Sequence, residues 1–356
     1  DGTRVKEPHE VSEVIVAFYQ NLLGQQPTGE SLDMNLLRKA LPKSISAVQN
    51  ENLDRDVSFE EIKEVLFPLK DNKAPGPDGF NAGFFKRTWN IVKNDVLCAI
   101  KSFFDSGKLL KQVNATTITL VPKVPNPSQV KEFKPISCCN TIYKYIAKLI
   151  ANRVKMVLPN IVGPQQTPFV KGRHISDNIL LSQELLRNYH RRGGLPRCAL
   201  KVDLMKATIL FRVVRWITEY VTTTRFSIFI NRELHGFFAS GRGLRQGDPL
   251  SPYLFVLAME VFSGLMGLMV AEQDFKYHWR CEKEKITHLC FADDLMVFCR
   301  AEVGSVSIIG ECLNRFKALS GLIPNPDKSN LFANCVSTYL KDQLLDVLGY
   351  KEGVLP

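Results

Sequence analysis

Toward the end of the chain, two apolar, β-prone runs, Ile286-Thr287-His288-Leu289-Cys290-Phe291 and Leu295-Met296-Val297-Phe298-Cys299, are separated by Ala292, Asp293 and Asp294. Runs of this length and composition predict strand, tight turn, strand. The turn pushes two adjacent carboxylates out of an apolar ribbon. Like charges this close repel, and they are costly to bury unless a cation neutralises them. A solvated turn is the bland alternative, because Asp is a common turn residue. The pair alone leaves both readings open.

The 356 residues suffice for two or three domain-sized units, and 45% apolar with 23% charged residues excludes wholesale disorder. A net charge of +10 favours a polyanionic partner such as nucleic acid. The nine cysteines form no Cys-x-x-Cys pair, which argues against a zinc knuckle. Their odd number and the lack of a leading signal peptide predict reduced thiols in an intracellular protein, so the Asn114-Ala115-Thr116 sequon should stay unused. The chain opens at Asp1, not Met, and is expected to be a fragment. Tyr253 to Ala271 is apolar enough to suggest a membrane span, but Glu260 interrupts it and Ser251-Pro252 reads as a helix start, so a buried core helix is expected.

Other stretches carry candidate binding chemistry. The first 70 residues read as packing helices, with an approximate capping box at Ser58 to Glu61. Asn72 to Phe80 holds two prolines and two glycines, hence an ordered loop with Lys73 at its base, and residues 84–105 read as one helix. Thr116 to Val121 reads as a strand whose end is bracketed by Lys123 and Lys134, point charges suited to phosphoryl oxygens, although either could be merely solvated. Asn140 to Leu158 reads as a basic amphipathic helix, either a backbone-contacting element or a solvated face, and a basic loop follows around Lys171 and Arg173. In Ala199 to Leu204, Lys201 and Asp203 share one strand face. Residues 226–238 read as a hairpin. After it, Gly241 to Pro252 combines three glycines with the donors Arg242, Arg245 and Gln246, ahead of a helix N-terminus that favours anions.

Taken in order, these motifs resemble the reverse transcriptase of LINE-type (non-LTR) retrotransposons, the plant branch most closely, from about residue 10 to the C-terminus. The matching stretches are Lys73-Ala-Pro-Gly-Pro-Asp-Gly79, Val121-Pro-Lys123, Lys134-Pro-Ile-Ser-Cys-Cys-Asn140, Phe169-Val-Lys-Gly-Arg173, Lys201-Val-Asp-Leu204, Gly243-Leu-Arg-Gln-Gly-Asp-Pro-Leu-Ser-Pro252, Phe291-Ala-Asp-Asp294 and Ser320-Gly-Leu322 with Asn325 and Lys328. The resemblance implies RNA-directed DNA synthesis from dNTPs on an RNA template and a DNA primer, in nucleus and cytoplasm. Asp203, Asp293 and Asp294 would be the catalytic carboxylates holding two Mg²⁺ ions, with Mn²⁺ as a substitute. Lys123 and Lys134 would hold the triphosphate, Gln246 and Gly247 would line the nascent base pair, and Lys328 would lie near the leaving pyrophosphate. Lys73, Arg173, Arg242 and Arg245 would contact template and primer. The implied fold is α+β, a right-hand polymerase: residues 1–70 a helical extension, 71–195 fingers, 196–334 a palm with an antiparallel sheet backed by helices, and 335–356 the start of a connection to a missing thumb. No membrane is implied, and oligomeric state is open.

The chain departs from the family pattern in places. Thr208 stands where an aromatic normally lies under the nucleotide sugar, and Lys134 replaces the usual Arg, giving up bidentate geometry. Val214-Arg215-Trp216-Ile217 arrives too soon after Asp203, as though a palm helix were lost. Such a loss should uncover the back of the sheet, at about 1.5–3 kcal/mol per large apolar side chain. A degenerate copy of low activity is therefore expected, with a non-catalytic nucleic-acid-binding module as its rival. A group II intron-type maturase shares the palm but not the Lys73–Gly79 loop.

Overall fold

The structure is a computed structural model that describes residues 4–25, 34–41, 43–189, 193–205, 213–241, 244–292 and 294–354. Thr208, Arg242 and Asp293 lie outside the described residues. The helices are α1 (Pro8–Leu23), α2 (Met34–Ala40), α3 (Ala47–Asp54), α4 (Phe59–Leu66), α5 (Ala82–Arg87), α6 (Trp89–Ser106), α7 (Thr141–Ile161), α8 (Ile175–Leu186), α9 (Val213–Thr222), α10 (Ser251–Glu272), α11 (Val303–Ser320) and α12 (Thr338–Leu348). The strands are β1 (Ala115–Pro122), β2 (Phe133–Cys139), β3 (Arg197–Met205), β4 (Arg225–Ile230), β5 (Glu233–Ala239), β6 (His288–Phe291), β7 (Asp294–Arg300), β8 (Ile323–Pro324), β9 (Asn330–Asn334) and β10 (Lys351–Glu352). They fall into two compact units that interleave along the chain: Asp1–Pro27, Ala47–Val154 and Leu210–Ser251 form one, and Thr28–Ser46, Lys155–Ile209 and Pro252–Pro356 the other. The contiguous division expected from the sequence does not coincide with them.

In the first unit the sheet order is β2-β1-β4-β5, with β1 antiparallel to β2 and parallel to β4. The β4–β5 hairpin turns on Asn231 and Arg232, both at positive φ, the geometry that matches strand twist. On this sheet Ile15, Tyr19 and Leu23 of α1 bury against Ile118, Phe226, Ile228 and Phe238. At the start of α4, Ser58 Oγ accepts from the Glu61 N–H at 3.1 Å, as its sequence predicts. The stretch read as one helix over 84–105 is α5 and α6, divided at Thr88, whose hydroxyl donates to the Phe84 carbonyl at 2.8 Å.

The basic-helix expectation for α7 is corrected. Tyr143, Tyr145, Ile146, Leu149, Ile150 and Val154 are all buried, so this part of the helix is core on most of its circumference. Its Arg153 is buried too. The guanidinium donates to the Leu53, Arg55 and Asp56 carbonyls at the end of α3 and pairs with Glu61 at 3.1 Å.

In the second unit the sheet order is β10-β9-β3-β7-β6, with β8 pairing β3. It is antiparallel except for β9 with β10. Alternation sorts its residues. Cys198, Leu200 and Val202 of β3 and Leu295, Val297 and Cys299 of β7 face a core shared with Met259, Phe262 and Met266 of α10 and Ile309 and Phe316 of α11. Ala199 and Phe298, on the opposite face, pack with Leu185 of α8, Tyr189, Cys281 and Leu289. The expected uncovering of the sheet does not occur: Leu200, Val202, Leu295 and Val297 are fully buried. Although α10 is long and apolar enough to cross a membrane, it contributes Leu254, Val256, Met259, Phe262, Leu265, Met266 and Met269 to burial here. Gly264 lets it approach α2, since a Cβ there would lie 2.1 Å from the Ala40 carbonyl oxygen.

Candidate active site

Asp203 of β3 and Asp294 of β7 are directly opposite each other across an antiparallel pair. Opposed side chains share a face and stand about 4.5–5.5 Å apart at Cβ, a destabilising arrangement for like charges. Lys201 lies on the same face of β3, and its Nζ is 3.5 Å from Asp294 Oδ1. The Lys328 Nζ is 3.9 Å from Asp203 Oδ2. The Asp203 backbone is fixed on both sides: its N–H donates to Ser329 Oγ at 3.3 Å, and its carbonyl accepts from the Asn325 N–H at 2.9 Å. The turn that fixes it also carries Lys328. The hairpin is present, but Phe291 pairs with Asp294, so Asp294 begins β7 rather than sitting on the tip. Ala292, directly after β6, is at φ 57.

Arg173 is placed differently from its expected role. Its guanidinium donates to the Pro159, Val162, Gly163 and Gln166 carbonyls, at and beyond the end of α7. Glu260 of α10 accepts from the Gly163 N–H at 2.8 Å, and burial holds its carboxyl above the usual range. Arg173 therefore caps a helix rather than offering a free fork to template or primer.

In the first unit Lys123 and Lys134 are exposed at one end of the β1–β2 ribbon, Lys134 opposite Val121. Lys123 Nζ donates to the Lys131 carbonyl at 2.7 Å. The Gln246 carbonyl accepts from the Ser137 N–H of β2 at 3.0 Å, and Gly247 follows at φ 99. Thus the structure brings Gln246 and Gly247 onto the strand that carries Lys134. Lys73 is exposed at the foot of its loop. Asn140 holds that loop by accepting from the Asp78 N–H at 3.2 Å, and Lys144 Nζ donates to the Ala74 carbonyl at 2.8 Å. A Cβ at Gly76 would lie 2.2 Å from Asn140 Oδ1, so only glycine fits.

Arg245, expected at a nucleic-acid surface, is 6% exposed. Its guanidinium donates to Asn114 Oδ1 and Thr224 Oγ1 and lies 4.0 Å over the Tyr143 ring. It is an internal residue.

With this geometry in hand, the match to known proteins is specific. The family model for reverse transcriptase (RNA-dependent DNA polymerase) matches residues 121–351. The chain belongs to the reverse transcriptase family. It is 28% identical over 351 residues to the transposon TX1 uncharacterized 149 kDa protein of Xenopus laevis, covering 93% of this chain and 26% of that protein. Against the retrovirus-related Pol polyprotein from type-2 retrotransposable element R2DM of Drosophila melanogaster it is 22% identical over 332 residues, covering 89% and 29%. An uncharacterized mitochondrial protein of Arabidopsis thaliana is 49% identical over 67 residues, covering 18% of this chain and 54% of that protein. These transposon relatives bear out the LINE-type (non-LTR) resemblance, and the chain spans about a quarter of the length of the first of them.

Reverse transcriptases work with divalent metal ions. The donors here suit one. Asp203 and Asp294 offer hard carboxylate oxygens on one sheet face, next to ammonium groups that balance their charge. Among the described residues no group of three or more His, Cys, Asp or Glu gathers as a metal cluster, and Asp293, the third carboxylate of the sequence motif, lies outside them.

Sequence reasoning missed Lys201 as a partner of Asp294, Asn140 as the anchor of the Lys73 loop, and Asp248. The Asp248 Oδ2 accepts from the Tyr143 and Tyr220 hydroxyls at 2.5 and 2.6 Å. Strand alternation could have signalled Lys201. Nothing local signals the other two, whose partners are distant in sequence.

Proposed function

We propose that this reverse transcriptase domain catalyses RNA-templated extension of a DNA primer by dNTPs, with Asp203, Asp293 and Asp294 holding two Mg²⁺ ions. The observation that carries the reading is the opposition of Asp203 and Asp294 across the strand pair, with Lys328 and Lys201 alongside. Fixed like charges at the end of a strand pair make sense where a cation comes and goes. Bound there, Mg²⁺, or Mn²⁺ in its place, would activate the primer hydroxyl and neutralise charge on the triphosphate.

The residues divide the remaining work. In the second unit, the proposed palm, Lys328 is tethered beside Asp203 and suits a departing pyrophosphate. In the first, whose ribbon we read as fingers, exposed Lys123 and Lys134 suit the triphosphate, and Gln246 with Gly247 suits the nascent base pair. Lys73 remains a template–primer candidate, Arg242 keeps the template–primer role that the resemblance implies, and Thr208 takes the nucleotide position where the family has an aromatic. The plant-branch reading is supported by the Arabidopsis relative.

Primer extension on an RNA template with Mg²⁺ and dNTPs tests the reading, beside an Asp293→Ala control. Extension by the wild type and none by the control is expected. Equal extension by both overturns the assignment of the carboxylates. No extension by either, with salt-sensitive RNA binding unaffected by Asp203→Ala, favours the non-catalytic binding module.

A further inference from the structure

Within the first unit, a closed polar network grips both ends of the Gln246–Gly247 turn. On the far side Asp248, 5% exposed, accepts from the Tyr143 and Tyr220 hydroxyls through Oδ2 and from the Leu250 N–H through Oδ1 at 2.7 Å. On the near side, Arg245 donates to the Asn114 and Thr224 side chains and to the Asn114 and Tyr220 carbonyls, both at 3.4 Å. The two tyrosine rings stack at 4.2 Å and 17°, and the guanidinium lies 4.0 Å from the centroid of the Tyr143 ring and 5.4 Å from that of Tyr220. The Asp248 N–H donates to the Arg245 carbonyl at 3.4 Å, closing the turn.

The partners come from the approach to β1, from α7 and from the end of α9, elements with their own packing. A buried carboxylate and a buried guanidinium are each fully supplied with partners, so neither adds an unmet charge. Between them, only Gln246 and Gly247 reach outward, seated on β2 through the Ser137 N–H. A site that reads a base pair needs its surface held to within about 0.5 Å, and such precision comes from side chains locked behind it.

We propose that Arg245, Asp248, Tyr143 and Tyr220 are positioning residues that pin the Gln246–Gly247 turn on β2 and thereby set the affinity for the incoming dNTP. The coupling to dNTP rests on the nucleotide-facing role proposed above for Gln246 and Gly247. The clamp itself rests on geometry alone. Tyrosine supplies both stacking surface and hydroxyl donors here, so the two contributions are separable by mutation.

The test compares the wild-type chain with the Tyr143→Phe/Tyr220→Phe double variant, which keeps the rings and removes only the hydroxyls. Amide hydrogen exchange should quicken in peptides covering 134–140 and 244–250 and stay unchanged in 197–205 and 288–300. In steady-state primer extension, KM for dNTP should rise about 10- to 30-fold, the size of two hydrogen bonds, with kcat and template–primer affinity little changed. Unchanged exchange in 134–140 and 244–250 overturns the clamp, and quickened exchange with unchanged KM overturns its coupling to nucleotide. Should exchange rise throughout the chain, Tyr220→Phe alone decides by the same two readouts. Should the wild type extend no primer, the catalytic reading fails separately. Protection of 244–250 by added dNTP then decides: weaker protection in the double variant supports the proposal, and equal protection overturns it.

Discussion

Asp248 in the first unit and the Asp203–Asp294 pair in the second are opposite solutions to placing a carboxylate in a folded chain. Asp248 is buried and receives neutral donors: two hydroxyls and a backbone N–H, all at 2.7 Å or less. The side chains of Asp203 and Asp294 are 24% and 43% exposed and face each other, and their lysine neighbours stand off at 3.9 and 3.5 Å. Neutral donors built into surrounding elements are permanent. Ammonium groups on flexible, largely exposed stems are exchangeable, and such exposed pairs contribute only about 0–1 kcal/mol. A divalent cation could displace them at little cost. The donor type therefore separates a carboxylate that organises the fold from carboxylates that work on a ligand.

The sharpest way to break this contrast is to neutralise one member of each kind. Asp203→Asn should reduce primer extension by at least about 10³-fold, because metal-held charge stabilisation is worth several kcal/mol. Its melting temperature should stay close to that of the wild type. Asp248→Ala should do the reverse in kind, costing about 3–5 kcal/mol of stability in urea titration, since it strands the Tyr143 and Tyr220 hydroxyls and the Leu250 N–H. If Asp203→Asn proved the more destabilising of the two, the contrast would be lost.

Much of the local structure was legible in the sequence, because it depends on neighbours in the chain. The Ser58 cap, the β1 strand, the β4–β5 hairpin and the alternation that puts Asp203 and Lys201 on one face all follow from spacing. The fate of the arginines was not legible. Arg153, Arg173, Arg245 and Arg280 donate to carbonyls at or near the ends of α3, α7, α9 and α8, helices with no basic residue in their own last turns. A guanidinium serves this purpose well because its fork satisfies several orphan carbonyls at once. The partners are set by tertiary packing, so composition counts toward a polyanion surface charges such as those of Arg153 and Arg245, which are buried. Exposed lysines such as Lys73, Lys123, Lys134 and Lys328 are left to supply it. Similarly, α7 looked amphipathic because its lysines stood out, while burial of tyrosines all around it depends on elements elsewhere in the first unit.

Acid separates the units by a different route. In the second unit, burial lowers the pKa of His288 and His278 from 6.5 to about 4, with Arg197 and Arg280 adding to the shift at His278. Because the folded-state pKa is depressed, the unfolded chain binds more protons between these values. Stability is therefore full above about pH 6.5 and is lost as pH falls toward 4, by up to roughly 3 kcal/mol per histidine. Amide exchange in 197–205 and 288–300 should quicken over that window. His288→Gln should flatten the dependence by about half, retaining a partner for Ser263 and Thr287, which now lie 2.8 Å from the ring nitrogens. A pH profile unchanged by the substitution would show that another group drives the loss.

The smallest expected effect probes the carboxylate pair directly. Asp294→Asn removes a like charge opposite Asp203, a gain of about 0.2–1 kcal/mol, and also removes the 3.5 Å pairing with Lys201, a loss of about 0–1 kcal/mol. The two nearly cancel, so in EDTA the variant should melt within a degree or two of the wild type. The balance should shift with added Mg²⁺. A ligand that binds only the folded chain stabilises it by RT ln(1 + [L]/Kd), about 1.4 kcal/mol at ten times Kd. Wild type should gain that increment and Asp294→Asn should gain much less, because a neutral amide is a poorer partner for a hard cation. Asp248→Asn is the matched control, and it should respond to Mg²⁺ as the wild type does from a lower starting stability. Equal Mg²⁺ gains in all three chains would place the ion elsewhere and leave the facing carboxylates as an unexplained strain on the sheet.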